Sequence, residues 1–221
     1  IIGGKDLLNG KRFDKGGYIL TYDYDKWSFI DPKEAQKKLN LPRNPRDYTS
    51  IAVTTDDSND EIVYASSMGD GVIQYKNGTP VQSYNEKNAF KETAGGYGSG
   101  YCYIDGLAFD KNGNLWMTSS EVNHAVLVLD KAGAWHRLDI EQLRGVYTIN
   151  DILITSTNDK WIYVPRNTPK LVMIPNSESL DEVSSYEFTT LIDTDGKELT
   201  PSNYTCVAED KDGYLSLIHI S

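Results

Sequence analysis

Histidine, cysteine and methionine are scarce in this sequence of 221 residues, which has 3 His, 2 Cys and 3 Met. Cys102 and Cys206 stand 104 positions apart, without the paired spacing that a structural zinc site requires. We interpret them as two free or buried thiols, with one long-range disulfide as the alternative in an oxidising compartment. The sequence therefore predicts neither a metal site nor another cofactor.

The sequence shows no acid or nucleophile in a catalytic motif with any of its histidines. The chain begins Ile-Ile-Gly-Gly, which is similar to the mature start of trypsin-like proteases, but those enzymes need a His, an Asp and a Ser in a Gly-Asp-Ser-Gly-Gly context. No such Ser exists, and His124 and His136 have no obvious acid or nucleophile partner. We expect both to be surface residues, give His219 no functional role, and predict no catalytic residues.

Excess positive charge and long apolar runs are also missing. Acidic residues outnumber basic ones by 32 to 22, giving a formal charge of −10. A nucleic-acid surface needs clustered Lys and Arg, so nucleic acid is not an expected partner. The longest apolar runs, at residues 125–129 and 171–174, fall far short of the ~18 residues that span a bilayer. We therefore expect no transmembrane segment.

Aromatic residues are abundant, with 15 Tyr and 4 Trp, and they recur in an internal repeat. Four segments share the pattern of a short strand, a polar turn and an aromatic strand. They align at intervals of 56, 45 and 55 residues on four anchors: Thr54, Asp110, Thr155 and Asp210. Trp116 and Trp161 follow their anchors by six residues and Tyr64 by ten, which predicts four extra residues in the first turn.

The turns of the repeat have hairpin chemistry. In Asp110-Lys-Asn-Gly113 and Asp210-Lys-Asp-Gly213, the Asp bonds to its own backbone and the Gly supplies a positive φ. The alternative of a calcium loop is disfavoured for these turns and for residues 193–196. An EF-hand needs Gly at its sixth position and Glu at its twelfth, whereas here Gly is fourth.

Two further strands follow in the repeat. Third strands are predicted at residues 72–76, 125–130 and 171–174, and fourth strands at 81–84 and 135–138, with Asn77-Gly78 as a hairpin turn. Residues 18–24 and 27–30 fit as a third and a fourth strand ahead of the first full repeat. Four antiparallel strands at this period predict an all-β protein of the β-propeller type.

Short helices are predicted after the fourth strands. Asp31 and Pro32 cap and begin a helix that runs to about Leu39 and ends at Asn40. Asp139 and Gln142 are predicted to cap a similar turn that ends at Gly145.

The whole chain, 1–221, is predicted to be one propeller fragment. Its predicted parts are the end of a blade with a capped helix at 1–47, three blades at 48–102, 103–146 and 147–203, the start of a blade at 204–215, and a non-native tail at 216–221. Either the ends close to give four blades, or the chain is an arc of about four blades from a longer protein. We favour the arc, because the pattern breaks at Ser216, where the repeat has Trp.

Most repeat residues have a structural interpretation. Trp116, Trp161 and Tyr64 are expected to fill the space between neighbouring blades, rather than to stack on a ligand. Trp27 and Trp135 lie on outer strands, where we expect them to be half exposed. Gly95-Gly-Tyr-Gly-Ser-Gly100 lacks the Lys-Ser/Thr of a phosphate loop, so we interpret it as a connection, with a mobile recognition loop as the alternative.

A candidate ligand site lies just before the first strands. In a propeller these connections gather on one face near the central channel, and aromatic faces with Asp and Asn suit sugars or peptides. The alternative is that the tyrosines pack at the blade entrance. The candidate residues are Tyr48, Tyr103, Asp105, Tyr147, Asn150 and Tyr204.

Residues 106–119 resemble the two-component-regulator propeller repeat of extracytoplasmic bacterial proteins. Residues 51–53, 63–71, 85–88, 152–155 and 207–210, together with Lys160-Trp161, are similar to a narrower group, the PorZ-type propellers of type IX secretion. The resemblance spans residues 18–215. It implies a surface accessory protein, exported by a leader not present in this sequence. Its implied partners are other secretion-system proteins or a glycan or lipopolysaccharide ligand.

Three functions compete at this stage. The first is a non-catalytic binding or scaffold propeller of the secretion apparatus, in the periplasm or at the cell surface. The second is the periplasmic ligand-sensing propeller of a hybrid two-component regulator. The third is a propeller lyase or lactonase, which would need a metal or a His/Glu cluster in the channel. No such cluster is visible in the sequence, so we predict that the protein is not an enzyme.

Overall fold

The computed structural model of the chain describes residues 6–8, 11–13, 17–91, 100–200 and 203–220. These residues form antiparallel strands with one α-helix and one 3₁₀ turn, which confirms the all-β prediction. The chain divides into two compact units, Ile1–Leu107 and Ala108–Ser221. In the described part, no helix is both long and apolar enough to cross a bilayer.

The first unit contains one complete four-stranded sheet. In this sheet β5, β6, β7 and β8 lie side by side in chain order, and β3 pairs separately with β4. The elements of this unit are β1 (Asp6–Leu8), β2 (Lys11–Phe13), β3 (Ile19–Asp23), β4 (Lys26–Ile30), α1 (Pro32–Leu39), β5 (Tyr48–Thr55), β6 (Glu61–Gly69), β7 (Gly71–Lys76), β8 (Thr79–Tyr84) and the start of β9 (Cys102–Phe109).

The second unit continues from the end of β9. Strands β9 to β12 are neighbours in chain order, β13 to β16 form a second four-stranded sheet, and β19 pairs with β20. The elements are β10 (Leu115–Ser119), β11 (Val126–Leu129), β12 (Trp135–Leu138), a 3₁₀ helix (Glu141–Leu143), β13 (Ile152–Ile154), β14 (Lys160–Val164), β15 (Lys170–Ile174), β16 (Tyr186–Phe188), β17 (Leu191–Ile192), β18 (Glu198–Leu199), β19 (Asn203–Glu209) and β20 (Leu215–Ile220).

Helix α1 has the predicted caps. The Asp31 side chain accepts a hydrogen bond of 2.9 Å from the Lys33 N–H, and Pro32 is the first helical residue. Asn40 ends the helix with a left-handed backbone at φ 51°. These contacts are local, so the sequence alone was enough to predict them.

The second predicted cap was wrong. The helical turn Glu141–Leu143 is 3₁₀, and its N-cap is Ile140, which makes no side-chain capping bond. Asp139 accepts a hydrogen bond of 2.6 Å from Arg144 Nε and contacts Arg144 Nη2. The Asp139 carboxylate, which was predicted to cap a backbone N–H, therefore binds the Arg144 guanidinium instead. These hydrogen bonds lower the pKa of Asp139.

The first repeat has longer strands rather than a longer turn, which corrects the sequence prediction. Thr54 pairs with Ile62 and Thr55 with Glu61, so two further ladder pairs account for the four additional residues. The turn that follows starts at Asp56, whose Oδ1 accepts from the N–H groups of Ser58 and Asp60. Asp110 Oδ1 accepts in the same way from Asn112 and Asn114.

Apolar clusters within the described residues form the core, three of which follow. One lies in the first unit, where Ile19 and Ala35 pack with Ile73 and Tyr75. The other two lie in the second unit, between successive sheets. One joins Trp116, Val126, Val128, Ile162 and Val172, and the other joins Tyr163, Leu171, Tyr204 and Val207.

The repeat aromatics differ in exposure. Trp116 is 2 % exposed, Tyr64 is buried and stacks on Tyr84, and Trp161 is half-buried and stacks on Phe188 at 5.6 Å between ring centroids. Trp27, by contrast, is 66 % exposed.

The chain's last described strand continues beyond the break in the sequence pattern. Ser216 pairs with Ala208, and β20 runs on to Ile220 opposite Asn203.

Candidate functional site

Tyr48 lies in the core cluster of the first unit. It is 4 % exposed, and its hydroxyl is 2.6 Å from that of Tyr75. Burial, with the neighbouring Tyr75 and Asp70, raises the pKa of Tyr48, so the hydroxyl stays neutral.

Tyr103 and Asp105 lie on β9, close to the start of β5. Tyr103 is half-buried opposite Met68, and Asp105 is buried. The Ile104 carbonyl accepts 2.7 Å from Thr49 Oγ1, next to Tyr48, and the Asp105 carbonyl accepts 3.4 Å from Ser66 Oγ. Hydrogen bonds from side-chain hydroxyls to β9 carbonyls therefore connect β5 and β6 to the strand that carries Tyr103 and Asp105.

The other three candidates lie in the second unit. Tyr147 is 57 % exposed. The Asn150 carbonyl accepts 3.0 Å from Thr118 Oγ1, and its N–H donates 3.0 Å to the Tyr163 carbonyl. Tyr204 is fully buried beside Tyr163, and in the described part of the chain its hydroxyl has no hydrogen-bond partner.

Asp151 and Tyr163, in the same unit as Tyr204, both have raised pKa values. Burial raises the pKa of the Asp151 carboxyl. Burial, followed by the charges of Asp151 and Cys206, raises the pKa of Tyr163 to about 12. Both cysteines are free thiols, as one of the two sequence interpretations predicted, with Cys102 buried and Cys206 exposed.

His136 has acid partners that the sequence analysis missed. Its Nδ1 lies 3.0 Å from Asp181 Oδ1, and its Nε2 lies 3.1 Å from Asp130 Oδ2. The hydrogen bonds to Asp130 and Asp181 raise the pKa of His136. His124 lies in an exposed loop, as predicted.

A cavity of about 100 Å³ opens in the first unit and was not predicted from the sequence. Four segments meet around it: the connection before β5, the turn between β6 and β7, the end of β8 with the residues that follow it, and Gly100. Leu41, Pro42 and Pro45 supply its apolar lining. Because the cavity is built from connections beside first strands, it is the candidate functional site of this unit.

Asp70 holds the connection in place. Its Oδ1 accepts from Arg43 at 2.7 Å (Nε) and 2.6 Å (Nη2), and its Oδ2 accepts 3.1 Å from the Arg46 N–H. Ser67 Oγ accepts 3.1 Å from the Asp70 N–H and donates 2.6 Å to the Arg46 carbonyl. The carboxylate thus holds both arginine segments and fixes one edge of the Arg43 guanidinium at the cavity.

Gly71 allows the turn at Asp70 to close. Its φ is +77°, and a Cβ there would lie 2.1 Å from the Tyr84 carbonyl oxygen. Any side chain would therefore push the turn away from the end of β8.

The opposite side of the cavity is polar and rests on a closed turn. Asn85 Oδ1 accepts 3.0 Å from the Lys87 N–H, and Asn88 Oδ1 accepts 2.9 Å from the Asn85 N–H. These reciprocal bonds place Glu86 and Lys87 at the cavity, together with Ser83. Within the described residues, neither Glu86 nor Lys87 has an ion-pair partner.

Two sequence segments around the cavity have a distinctive composition. One is the alternation of proline and arginine in Pro42-Arg-Asn-Pro-Arg46, and the other is Gly69-Asp-Gly71. The two segments are more than 20 residues apart in the sequence, so only the fold shows that they meet.

The described residues contain no group of three or more His, Cys, Asp or Glu side chains that could hold a metal ion. The Asp-Gly turns use their oxygens internally, since both carboxylate oxygens of Asp110 accept from Asn114, and Oδ2 also accepts from Trp116 Nε1. Residues 95–99 of the predicted glycine-rich connection lie outside the described residues.

Comparison with known proteins identifies the fold. No family model and no curated protein matches the sequence. The chain is similar to the structure of PorZ, a surface component of the type IX secretion system of Porphyromonas gingivalis, with a TM-score of 0.79 and 20 % identity over 92 % of the chain. The match covers 28 % of PorZ, so the chain spans under a third of that protein's length.

Other matching structures have TM-scores below 0.5. The extracellular domain of a protein named as a hybrid two-component system from B. thetaiotaomicron matches at 0.49, with 13 % identity over 78 % of this chain and 27 % of its own. A protein named as a 6-phosphogluconolactonase from Bacteroides uniformis matches at 0.43, with 13 % identity over 80 % of this chain and 54 % of its own. The predicted β-propeller fold is confirmed by the PorZ match.

Proposed function

We propose that this chain is part of a non-catalytic, extracytoplasmic binding or scaffold propeller that serves type IX protein secretion. The observation that carries the proposal is the PorZ match, which extends over 92 % of the chain at a TM-score of 0.79. The arrangement of described side chains supports a binding role. The buried candidates Tyr48 and Tyr204 pack in cores, whereas the cavity of the first unit carries unpaired charges.

The proposed location is the periplasm or the cell surface, after export by a leader. The proposed partners are other surface proteins of the secretion system, or a glycan or lipopolysaccharide. Of the six candidate residues, Tyr48 and Tyr204 pack in cores. The remaining proposed contacts are Tyr103, Asp105, Tyr147 and Asn150, of which Tyr147 is the most exposed.

Gene deletion in the source bacterium tests this function. We expect secreted cargo to accumulate in the periplasm of the deletion strain, and plasmid-borne wild-type protein to restore release. Protease treatment of intact cells should cleave an epitope-tagged copy if it lies on the surface.

The competing sensor function gives a different result. A periplasmic ligand sensor would leave cargo release normal and would change the transcription of its target genes. Normal cargo release in the deletion strain would overturn the secretion proposal.

A further inference from the structure

We propose that the cavity beside Asp70 binds a small zwitterion of the α-amino acid class. This inference rests on the proposed binding function and specifies a ligand for one site. Its evidence is the size of the cavity, the balance of charge around it and the way its polar groups are held.

The volume suits a ligand of a few non-hydrogen atoms. The cavity measures about 100 Å³, whereas a protein cavity of ~150 Å³ holds one benzene ring. A molecule the size of alanine fits within this volume.

The unused charges favour a ligand that carries both signs. Asp70 is paired with Arg43 and Arg46, whereas the Glu86 carboxylate and the Lys87 ammonium have no ion-pair partner in the part of the chain that the structure describes. A ligand ammonium would pair with Glu86, and a ligand carboxylate with Lys87 and the remaining N–H donors of Arg43. A purely anionic or purely cationic ligand would leave either Glu86 or Lys87 without a partner.

The polar groups are held before any ligand arrives. Asn85 and Asn88 close the turn that carries Glu86 and Lys87, and Asp70 anchors Arg43. Ordering these groups in advance lowers the entropy cost of binding. Leu41, Pro42 and Pro45 offer an apolar surface to a small side chain.

Binding of three matched compounds to the full chain tests the proposal. The probes are L-alanine, L-lactate, which replaces the ammonium with a hydroxyl, and L-alaninamide, which lacks the carboxylate. We expect saturable alanine binding by protein-observed NMR, with lactate and alaninamide each about 10-fold or more weaker, since each loses a charge-assisted hydrogen bond. If lactate and alanine bound equally well, the site would recognise only the carboxylate, and the proposal would be overturned. Alanine binding that does not saturate would overturn it as well.

Single substitutions locate the site. Glu86→Gln should weaken alanine binding but leave lactate binding unchanged, and Lys87→Gln should weaken alanine but leave alaninamide unchanged. Glu34→Gln and Lys37→Gln make the same charge changes on helix α1, away from the cavity, and should leave alanine binding intact. Loss of binding in these helix variants, or none in the cavity variants, would contradict the assignment.

Failure here and failure of the secretion proposal are distinguishable. The NMR titration reports on this cavity alone, whereas cargo release in the deletion strain reports on the role in the cell. Alanine binding with normal secretion would overturn only the cellular role, and impaired secretion without alanine binding would overturn only the ligand.

Discussion

Trp116 illustrates how single side chains hold the second unit together. Its ring is 2 % exposed, its Nε1 donates 3.0 Å to Asp110 Oδ2, and Lys160 Nζ lies 4.6 Å from the ring centroid. Burial lowers the pKa of Lys160, while the charges of Asp110 and Asp159 oppose that shift. The indole thus joins an apolar core to two buried charged residues, Asp110 and Lys160, and a smaller residue would disturb both.

Replacing this ring should therefore be costly. Trp116→Ala is expected to lower the free energy of unfolding by about 3–5 kcal/mol, because it leaves a large cavity and removes one of the two hydrogen bonds to Asp110 Oδ2. Urea denaturation followed by far-UV circular dichroism would measure the change. Trp27→Ala is the matched control, since Trp27 is 66 % exposed. A loss below about 1 kcal/mol for Trp116→Ala would contradict the packing role.

His136 is a second residue whose role depends on its contacts. Asp130 belongs to the same hairpin, and Asp181 lies in the connection between β15 and β16. Because the two carboxylates raise its pKa in the folded state, the imidazolium stabilises the fold. That contribution is fully present below the unfolded pKa of about 6.5 and disappears as the pH rises through the higher folded value.

Asp181→Asn should reveal how the stabilisation by His136 depends on pH. We expect it to destabilise the protein at pH 5.5 by about 0.2–1 kcal/mol, the usual range for an exposed ion pair, and to have little effect at pH 9. Glu182→Gln is the adjacent control and should have the same small effect at both values. Urea titrations at the two pH values provide the measurement, and an equal loss for Asp181→Asn at both would refute the ion-pair role.

At the level of elements, hydroxyl groups join the second strand of one repeat to the first strand of the next. Ser66 stands two residues after Tyr64 and donates to the Asp105 carbonyl. Thr118 stands two residues after Trp116 and donates to the Asn150 carbonyl. Both acceptors precede the anchor of the following repeat by five residues. The contact therefore recurs with the repeat, once in each unit.

Removal of one hydroxyl tests this element-level contact. Thr118→Val keeps the shape of the side chain and should destabilise by about 1–3 kcal/mol, because the partly buried Asn150 carbonyl loses a partner and a methyl group replaces the buried hydroxyl. Thr21→Val on the exposed strand β3 is the control and should change stability by less than about 0.5 kcal/mol. Thermal unfolding of both variants would compare them, and equal midpoints would count against the contact.

At the level of the whole molecule, an aromatic surface remains uncovered. Ile19 and Ile30 of the β3–β4 pair face the core, whereas Tyr22, Trp27 and Phe29 on the other face are 55 %, 66 % and 65 % exposed. The residues that correspond to Tyr22 on other third strands are buried: Tyr75, Leu129 and Ile174. Exposed apolar patches of this kind promote association.

The isolated chain should therefore self-associate in a concentration-dependent way. Light scattering after size-exclusion chromatography would detect the larger species. Trp27→Lys should reduce association, whereas Tyr214→Lys, at a separate exposed aromatic residue, should not. A monodisperse monomer at all concentrations would argue against association through this face and in favour of a closed ring.

Local interactions made much of the fold predictable. The cap of α1, the Asp-Gly turns and the strand periods depend on groups within about four residues of each other, and they lie where the sequence placed them. Errors appeared where distant or competing groups intervene. Arg144 displaced the predicted cap at Asp139, and Asp181 reached His136 from 45 residues away.

The sequence by itself determined the repeat, its turns and its all-β character, because these follow from residue spacing and backbone hydrogen bonding. Only the tertiary structure decided which residues meet. It buried Tyr48 and Tyr204 and left Tyr147 exposed, although all three occupy similar places before a first strand. It also joined Arg43, Asp70 and Lys87 around one cavity. Side-chain burial and charge pairing depend on neighbours from remote segments, and no local pattern encodes them.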